Sequence, residues 1–409
     1  MKFASIRKVL AGRRGWSILA GGMAALFTGA LAVVAVLPAV SPEAGAGMAD
    51  AIRSVVGPGP VAALESTSFT IQDAYNQFLA ARDGGQKAIS LAQTSSPGML
   101  AAPIVRIIHA GSAPTSSTVQ GSAVSGAGKL AVITQQSDVL SAAPQIGWSA
   151  YGPWLNGSPV MAQSLVSLDP ARSYAGIALV RIDLSKLQLH MMPGSQEPSH
   201  APDVVAVLPH MGLTPAADQA RLVAAFNGGF KAVNGRYGMV ANGVTLLPPQ
   251  IGLATVAIYK DGHVALGAWG PDIVPSADLV ALRQNCPPII QNGQISPQVY
   301  IDNTTLWGNT VGNRAITWRT GLGLTQDGRY LIYAVGNATT VDTLAAALLQ
   351  AGAYNAMQLD INHPYAHFVT YQSTSGAGQT AVPLLNQMES NPRLYLVPNQ
   401  RDYFYLTTP

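Results

Sequence analysis

The 409-residue chain has one cysteine, Cys286, so it can form no intrachain disulfide. An exported domain built from it must rely on its packed core. Cys286 sits in Asn285-Cys286-Pro287-Pro288, a turn-like stretch with no thiol-activating neighbour, and reads as a packed, unreactive thiol. Charge is also scarce: Asp, Glu, Lys and Arg make up 11% of the chain, with a formal net charge of +3. Residues 1–14 hold five basic side chains and no acid, which leaves −2 for everything after them. No basic stripe answers a phosphate backbone, and this argues against nucleic acid as a partner. There is no glycine-rich dinucleotide fingerprint, no phosphate loop with lysine and no Gly-x-Ser-x-Gly elbow, which argues against those enzyme classes. No internal repeat stands out.

The first long feature is a run without charge. From Gly15 to Pro42 there is no ionisable side chain, and Trp16–Leu37 is almost wholly apolar or small. About 20 such residues in a helix cross a bilayer core. The basic flank then stays in the cytoplasm and the bulk of the chain lies outside. A cleaved signal peptide is the rival reading, because Ala44-Gly45-Ala46 resembles a cleavage site. The expected organisation is a basic tail (1–14), a transmembrane signal anchor (15–40), an Ala/Gly/Ser/Pro-rich spacer with structured islands (41–140) and one folded domain (141–409). Within the spacer, Phe69–Arg82 has the apolar spacing of one short helix.

Past Trp148 the patterning tightens. Ala175–Asp183 reads as a strand and Leu187–Met192 as its hairpin partner, while Pro215–Ala225 reads as a helix running into Phe226-Asn227-Gly228-Gly229-Phe230-Lys231. Short strands follow over 237–243, 252–260 and 263–269. Asp261-Gly262, Asn292-Gly293 and Asp327-Gly328 have the composition of tight hairpin turns. Tyr330–Val335 is a strand. Thr339 and Asp342 suggest a capping box for a helix carrying Leu344, Ala345, Leu348 and Leu349, which Gly352 stops. Ala356–Ile361 is apolar enough for a buried strand, except that it carries Asp360 near its end. The fold class is therefore α+β: a large mixed sheet built from hairpins, with a few packing helices, behind an N-terminal transmembrane helix.

A carboxylate at the end of a buried strand is a common site of chemistry, or else a group that caps the sheet. Beside Asp360, His363 is placed to act as a general acid or is a plain surface histidine. Asn227 with the backbone of Gly228 and Gly229 offers hydrogen bonds to a ligand, or ordinary turn chemistry. Asp302 is a second carboxylate; Asp327 is better explained by its turn. His363 and His367 on one strand would stand about 13 Å apart, too far for one ion. Asp360 with Asn362 leaves a divalent cation as a minor option, and otherwise no metal or cofactor is expected.

FNGGFK at 226–231, the Asn-Gly turn at 292–293, WRTGLGLTQDG at 318–328 and the strand-helix-strand ending in Leu359-Asp360 together resemble the phosphodiester glycosidase family. That family is typified by the enzyme that uncovers the mannose 6-phosphate marker by removing N-acetylglucosamine from a phosphodiester. Bacterial relatives sit in exported or anchored proteins linked to surface polysaccharide. The resemblance covers about residues 170–405. It implies an Asn-Gly-Gly turn at Asn227–Gly229, an arginine at Arg319 and an acid at Asp360. A guanidinium at Arg319 suits phosphate, or else a buried ion pair, for instance with Asp360. Asn362 and Asp302 are further candidates for substrate contact, read from the residues alone. The family usually continues the acid with glycines and a serine, where this chain has Ile361-Asn362-His363-Pro364. The implied activity is an extracytoplasmic hydrolase of glycosyl phosphodiesters in envelope polysaccharide or glycolipid. The alternative is an envelope-glycan-binding or export-scaffold domain on the same fold.

Overall fold

The computed structural model describes residues 48, 51–82, 89–92, 105–106, 146–172, 174–198, 212–301, 306–308, 316–374, 378–388 and 390–409. Helix α1 (Pro58–Arg82) precedes the two-residue strand β1 (Val105–Arg106). The hairpin of β2 (Ser149–Leu155) and β3 (Ser158–Ser167) leads into β4 (Ile177–Asp183) and β5 (Gln188–Met192). A one-turn helix, α2 (Ala216–Gln219), precedes β6 (Leu222–Asn227). Then come β7 (Met239–Ala241), β8 (Val244–Leu247), β9 (Ala254–Tyr259), β10 (Val264–Ala268) and β11 (Leu279–Gln284). The hairpin β12 (Ile290–Gln291) and β13 (Gln294–Ile295) is followed by β14 (Thr317–Leu324) and β15 (Tyr330–Thr339). Helix α3 (Val341–Gln350), β16 (Asn355–Gln358), β17 (Phe368–Thr374), β18 (Gly378–Pro383) and β19 (Tyr403–Thr407) complete the chain.

These strands form three sheets, and the architecture is α+β. The largest runs β1-β3-β4-β15-β14-β16-β12-β13, with β2 on β3; the others run β10-β9-β11-β7-β8 and β18-β17-β6-β19-β5. β15 and β16 both lie antiparallel to β14, so they are parallel to each other. A chain must cross over to make that pairing, and α3 is the crossover. Its Leu344, Ala345 and Leu348 pack on Ile177, Leu179, Ile332 and Ala334 of the large sheet. Gly321 lets β14 approach the helix, since a Cβ there would lie 3.0 Å from Leu348 Cδ1. The opposite face of the large sheet meets the other two: Val180, Leu322 and Tyr333 share one core with Phe226, Phe368, Phe404, Val256 and Ile258. The ring of Phe226 is its hub, 5.3 Å from those of Tyr333 and Phe404 and 5.8 Å from Phe368. Burying one such ring contributes roughly 1.5–3 kcal/mol.

Several elements differ from the sequence expectation. Pro215–Ala225 is not one helix: α2 spans four residues, and Leu222–Asn227 is a central strand with every residue buried. A short run that is apolar on all sides shows no period, so helix and strand cannot be told apart from it. Leu187–Met192 does not pair with β4; β5 crosses to another sheet and pairs with β19. The α3 cap is Thr340, one residue later than read, whose Oγ1 accepts from Thr343 N at 3.4 Å.

The expected transmembrane segment (15–40) lies outside the described residues. Among the described residues no helix is long and apolar enough to cross a membrane. Inside the expected spacer, α1 is longer than Phe69–Arg82 and is docked on the domain. Asp73 pairs with Arg172 at 2.9 Å and accepts from the Tyr174 hydroxyl, and Ala80 packs with Tyr174, Ala175 and Ala338. Ile89 is buried in the main core.

Candidate active site

Asp360 leaves the large sheet just past β16. The ladder persists for one more residue, Leu359 N donating to Thr320 O at 2.8 Å. Thr320 Oγ1 then donates to the Asp360 carbonyl at 2.6 Å, and Asp360 N donates to Gly228 O at 3.2 Å. The carboxylate is thus carried to the glycine loop after β6, where it is 1% exposed. Its Oδ1 accepts from Asn362 N at 3.0 Å and Asn362 Nδ2 at 2.8 Å. Its Oδ2 accepts from Arg401 Nη2 at 2.7 Å.

Arg401 comes from the segment that enters β19. Nη2 also donates to Gly229 O at 2.9 Å, and the guanidinium lies 4.5 Å over the Tyr365 ring. Burial works against its charge, but the carboxylates of Asp360, Asp402 and Glu197 outweigh it and hold the guanidinium above its ordinary pKa. Its Nε and Nη1 are buried and have no hydrogen-bond partner among the described residues. These groups border a cavity of about 220 Å³ lined by Asn227, Gly228, Gly229, Asp360, Tyr365, His367 and Arg401, with residues 394–395 and 397–400 on its other side.

The glycine loop has a different role from the one its sequence suggests. Gly228 N donates to Asp402 O at 3.0 Å and Gly229 N to Asp402 Oδ2 at 3.2 Å, so both amides already have acceptors. Asp402 in turn holds Arg283, Nε to Oδ2 at 2.8 Å, in a second buried ion pair. A Cβ on Gly228 would stand 1.9 Å from Asp402 Oδ2, which is why glycine is required there. Asn227 is also saturated. Nδ2 donates to Gly228 O at 3.0 Å and Thr320 Oγ1 at 2.9 Å, and Oδ1 accepts from Tyr333 OH at 2.9 Å and His367 N at 3.3 Å. A carboxamide has two donors and two acceptor sites, and all four are filled.

Arg319 is not at this cavity. Alternation along β14 puts Thr320 on the Asp360 side and Arg319 on the α3 side. Its Nη1 donates to Gln358 Oε1 at 2.7 Å and Trp307 O at 3.1 Å, and its Nε to Thr339 O at 3.1 Å. Full burial pushes its pKa down to about 10. The arginine beside Asp360 is Arg401, which the sequence reading missed. The only local hint was an Arg-Asp pair immediately before a strongly apolar strand.

His363 stacks on Trp318, ring centroids 4.6 Å apart, and its Nε2 lies 3.1 Å from Gln387 O; it does not line the cavity. His367 does. Asn362 faces Asp360 as a hydrogen-bond donor, an arrangement unlike two oxygens sharing a cation. Asp302 lies outside the described residues. Asp327 accepts from Thr325 Oγ1 and Arg329 N within its turn. Cys286 is buried, and burial pushes its thiol up to about 12. Among the described residues no three His, Cys, Asp or Glu side chains cluster as a metal site would require.

A buried guanidinium with nitrogens unpartnered among the described residues, at a small cavity, suits an anionic ligand. Residues 220–360, from just before β6 to the carboxylate itself, match the model of the phosphodiester glycosidase family. No curated protein matches the chain. Among solved structures, one similar chain is the zebrafish N-acetylglucosamine-1-phosphodiester alpha-N-acetylglucosaminidase catalytic domain, auto-inhibited by its pro-peptide. It is 18% identical over 67% of this chain and 93% of that one, with a TM-score of 0.42. A hypothetical protein from Synechocystis is 10% identical over 66% of this chain and 65% of that one, with a TM-score of 0.35. At these values neither likeness carries an argument about the site.

Proposed function

We propose that this protein hydrolyses glycosyl phosphodiesters at the cavity between Asp360 and Arg401. The observation that carries the reading is the Arg401 guanidinium: buried, charged, held by Asp360 at 2.7 Å, and with Nε and Nη1 open among the described residues. A guanidinium in that state suits a phosphate oxygen. Cleavage at the anomeric carbon releases a phosphomonoester, whose second pKa is about 6. So weak a base departs without a strong general acid, and a fixed positive charge meets the main demand. Asp360 supplies the carboxylate that meets the developing cationic sugar or activates water. The match of residues 220–360 to the phosphodiester glycosidase family supports this chemistry. The charge-free run at 15–40 supports membrane anchoring with the domain outside, and hence an envelope polysaccharide or glycolipid as substrate.

A second reading has its own observation. Asp360 is 1% exposed and accepts three hydrogen bonds, which also suits a module that binds a phosphate-linked glycan or serves as an export scaffold without cleaving it. The full chain, incubated with a panel of sugar-1-phosphodiesters, separates the two. Release of free sugar that both Asp360→Asn and Arg401→Met abolish, with the fold intact, is the hydrolase result. Saturable binding without turnover, weakened by the same changes, replaces it with the binding module.

A further inference from the structure

One group at the cavity takes no part in the steps above. His367 is 7% exposed, lines the cavity, and its Nε2 has no hydrogen-bond partner among the described residues. Its main chain is fixed on both sides: the amide donates to Asn227 Oδ1 at 3.3 Å, and the carbonyl accepts from Asn227 N at 3.1 Å and lies 3.2 Å from the Tyr333 hydroxyl, whose one proton it shares with Asn227 Oδ1. Tyr333 bonds the same Asn227 oxygen at 2.9 Å, and Asn227 reaches the Asp360 carbonyl through Thr320. One saturated carboxamide therefore sets the backbone positions of both His367 and Asp360. A buried ring nitrogen without a partner carries its desolvation penalty until a ligand atom meets it.

We propose that His367 is a specificity-determining residue whose Nε2 hydrogen-bonds an uncharged hydroxyl or amide group of the bound sugar, while Arg401 takes the phosphate. This rests on the reading of the cavity as a glycosyl phosphodiester site. The division of labour follows from charge. Burial, with His363 nearby adding to it, pushes the His367 ring down to about 4, so it is neutral at ordinary pH. An anion entering the same cavity finds a charged guanidinium with two open N–H-bearing atoms and has far more to gain there. The neutral nitrogen is left for the uncharged part of the ligand. A cavity of about 220 Å³ is small enough for both groups to be met by adjacent parts of one glycosyl phosphate. Sites built to hydrogen-bond a hydroxyl reject the analogue that lacks it, because the protein group is then left buried and unpaired.

The test compares kcat/KM of the full chain for pyranosyl phosphodiesters with and without each ring hydroxyl or acetamido group. At one ring position the deoxy penalty should be on the order of 100-fold in the unaltered protein. It should vanish in His367→Phe and survive in part in His367→Gln, which keeps a donor and an acceptor. Inhibition by inorganic phosphate should be the same in all three. A deoxy penalty unchanged by His367→Phe overturns the proposal. So does a parallel loss of phosphate affinity, which would put the ring on the phosphate. If the unaltered chain turns over none of the diesters, the hydrolase reading falls, and the His367 ring ¹⁵N signals decide this proposal alone. Movement with the hydroxylated glycosyl phosphate and not with its deoxy partner supports it, and no movement with either overturns it.

Discussion

Asp360 and Arg401 are 41 residues apart in sequence, yet Oδ2 of one lies 2.7 Å from Nη2 of the other. Each reaches the cavity from the end of a different sheet: Asp360 from β16, Arg401 from the approach to β19. Their side chains are 2% and 9% exposed, so the pair is withdrawn from water and depends on its geometry. Removing one member of a buried pair leaves the other charge uncompensated, at a cost of about 3–5 kcal/mol. Arg401→Met should lower stability by that order and abolish turnover. The double variant with Asp360→Asn should be less destabilised than the sum of the singles. Urea unfolding of the four proteins in a mutant cycle measures this, and strict additivity would contradict it.

Arg319 gives the contrasting case. It is wholly buried on the α3 side, where it donates to Gln358, Trp307 and Thr339. Arg319→Met should reduce stability by about 1–3 kcal/mol, because those acceptors lose their donor. The KM of the folded fraction should be unchanged. A raised KM at unaltered stability would return Arg319 to the substrate.

Gly228→Ala tests the loop. The added methyl would stand 1.9 Å from Asp402 Oδ2 and 2.8 Å from Asp402 O, so Asp402 must shift and the Arg283 pair with it. Overpacking of this kind costs about 1–3 kcal/mol, and turnover should fall together with the melting temperature. An unaffected melting temperature would show that the loop can yield.

His367 gives a pH dependence with a definite sign. Its folded-state pKa of about 4 lies below the ordinary 6.5, so between those values the unfolded chain binds the extra proton. Stability from this group is complete above about pH 6.5 and is lost as pH falls towards 4, by ~3 kcal/mol in all. His190, which burial also pushes down, acts in the same direction. The His367 share is therefore read as the difference between the unaltered protein and His367→Asn across pH 4–7. Parallel curves would contradict it.

Helix α1 is predicted to be held by Asp73. Asp73→Ala removes the pairing with Arg172 and Tyr174, and the amides of α1 should exchange faster while those of β15 keep their protection. Equal protection in both proteins would mean that Val61 and Ala80 suffice to dock it.

Local chemistry was legible wherever the backbone itself constrains residue choice. Asn292 and Gly293 take φ of 53° and 74°, the conformation a two-residue hairpin needs, and the hairpin is there. The same signal at Asn156-Gly157 and Asn242-Gly243, both with positive φ, marks two more hairpins that the reading passed over. The α3 helix and its glycine stop were plain from spacing, with the cap one residue off. By contrast, LVAAF at 222–226 is buried on both faces and carries no period, so its sheet partners had to fix its conformation.

The sequence by itself determined the hairpins at Asp261-Gly262, Asn292-Gly293 and Asp327-Gly328, α3, the α+β class and the position of Asp360 near a strand end, because turn geometry, helical spacing and a charge in an apolar run are local properties. Only the tertiary structure decided which arginine meets that carboxylate. Parity along β14 turns Arg319 to the α3 face, whereas packing of the β19 sheet against the large sheet brings Arg401 and His367 to the other. Asn227 reads as a ligand-binding residue in sequence and is a fully bonded tie in the fold, because its four hydrogen-bond partners include groups 93 to 140 residues away. Pairing at such distance is set by how sheets pack, and no short stretch of sequence records it.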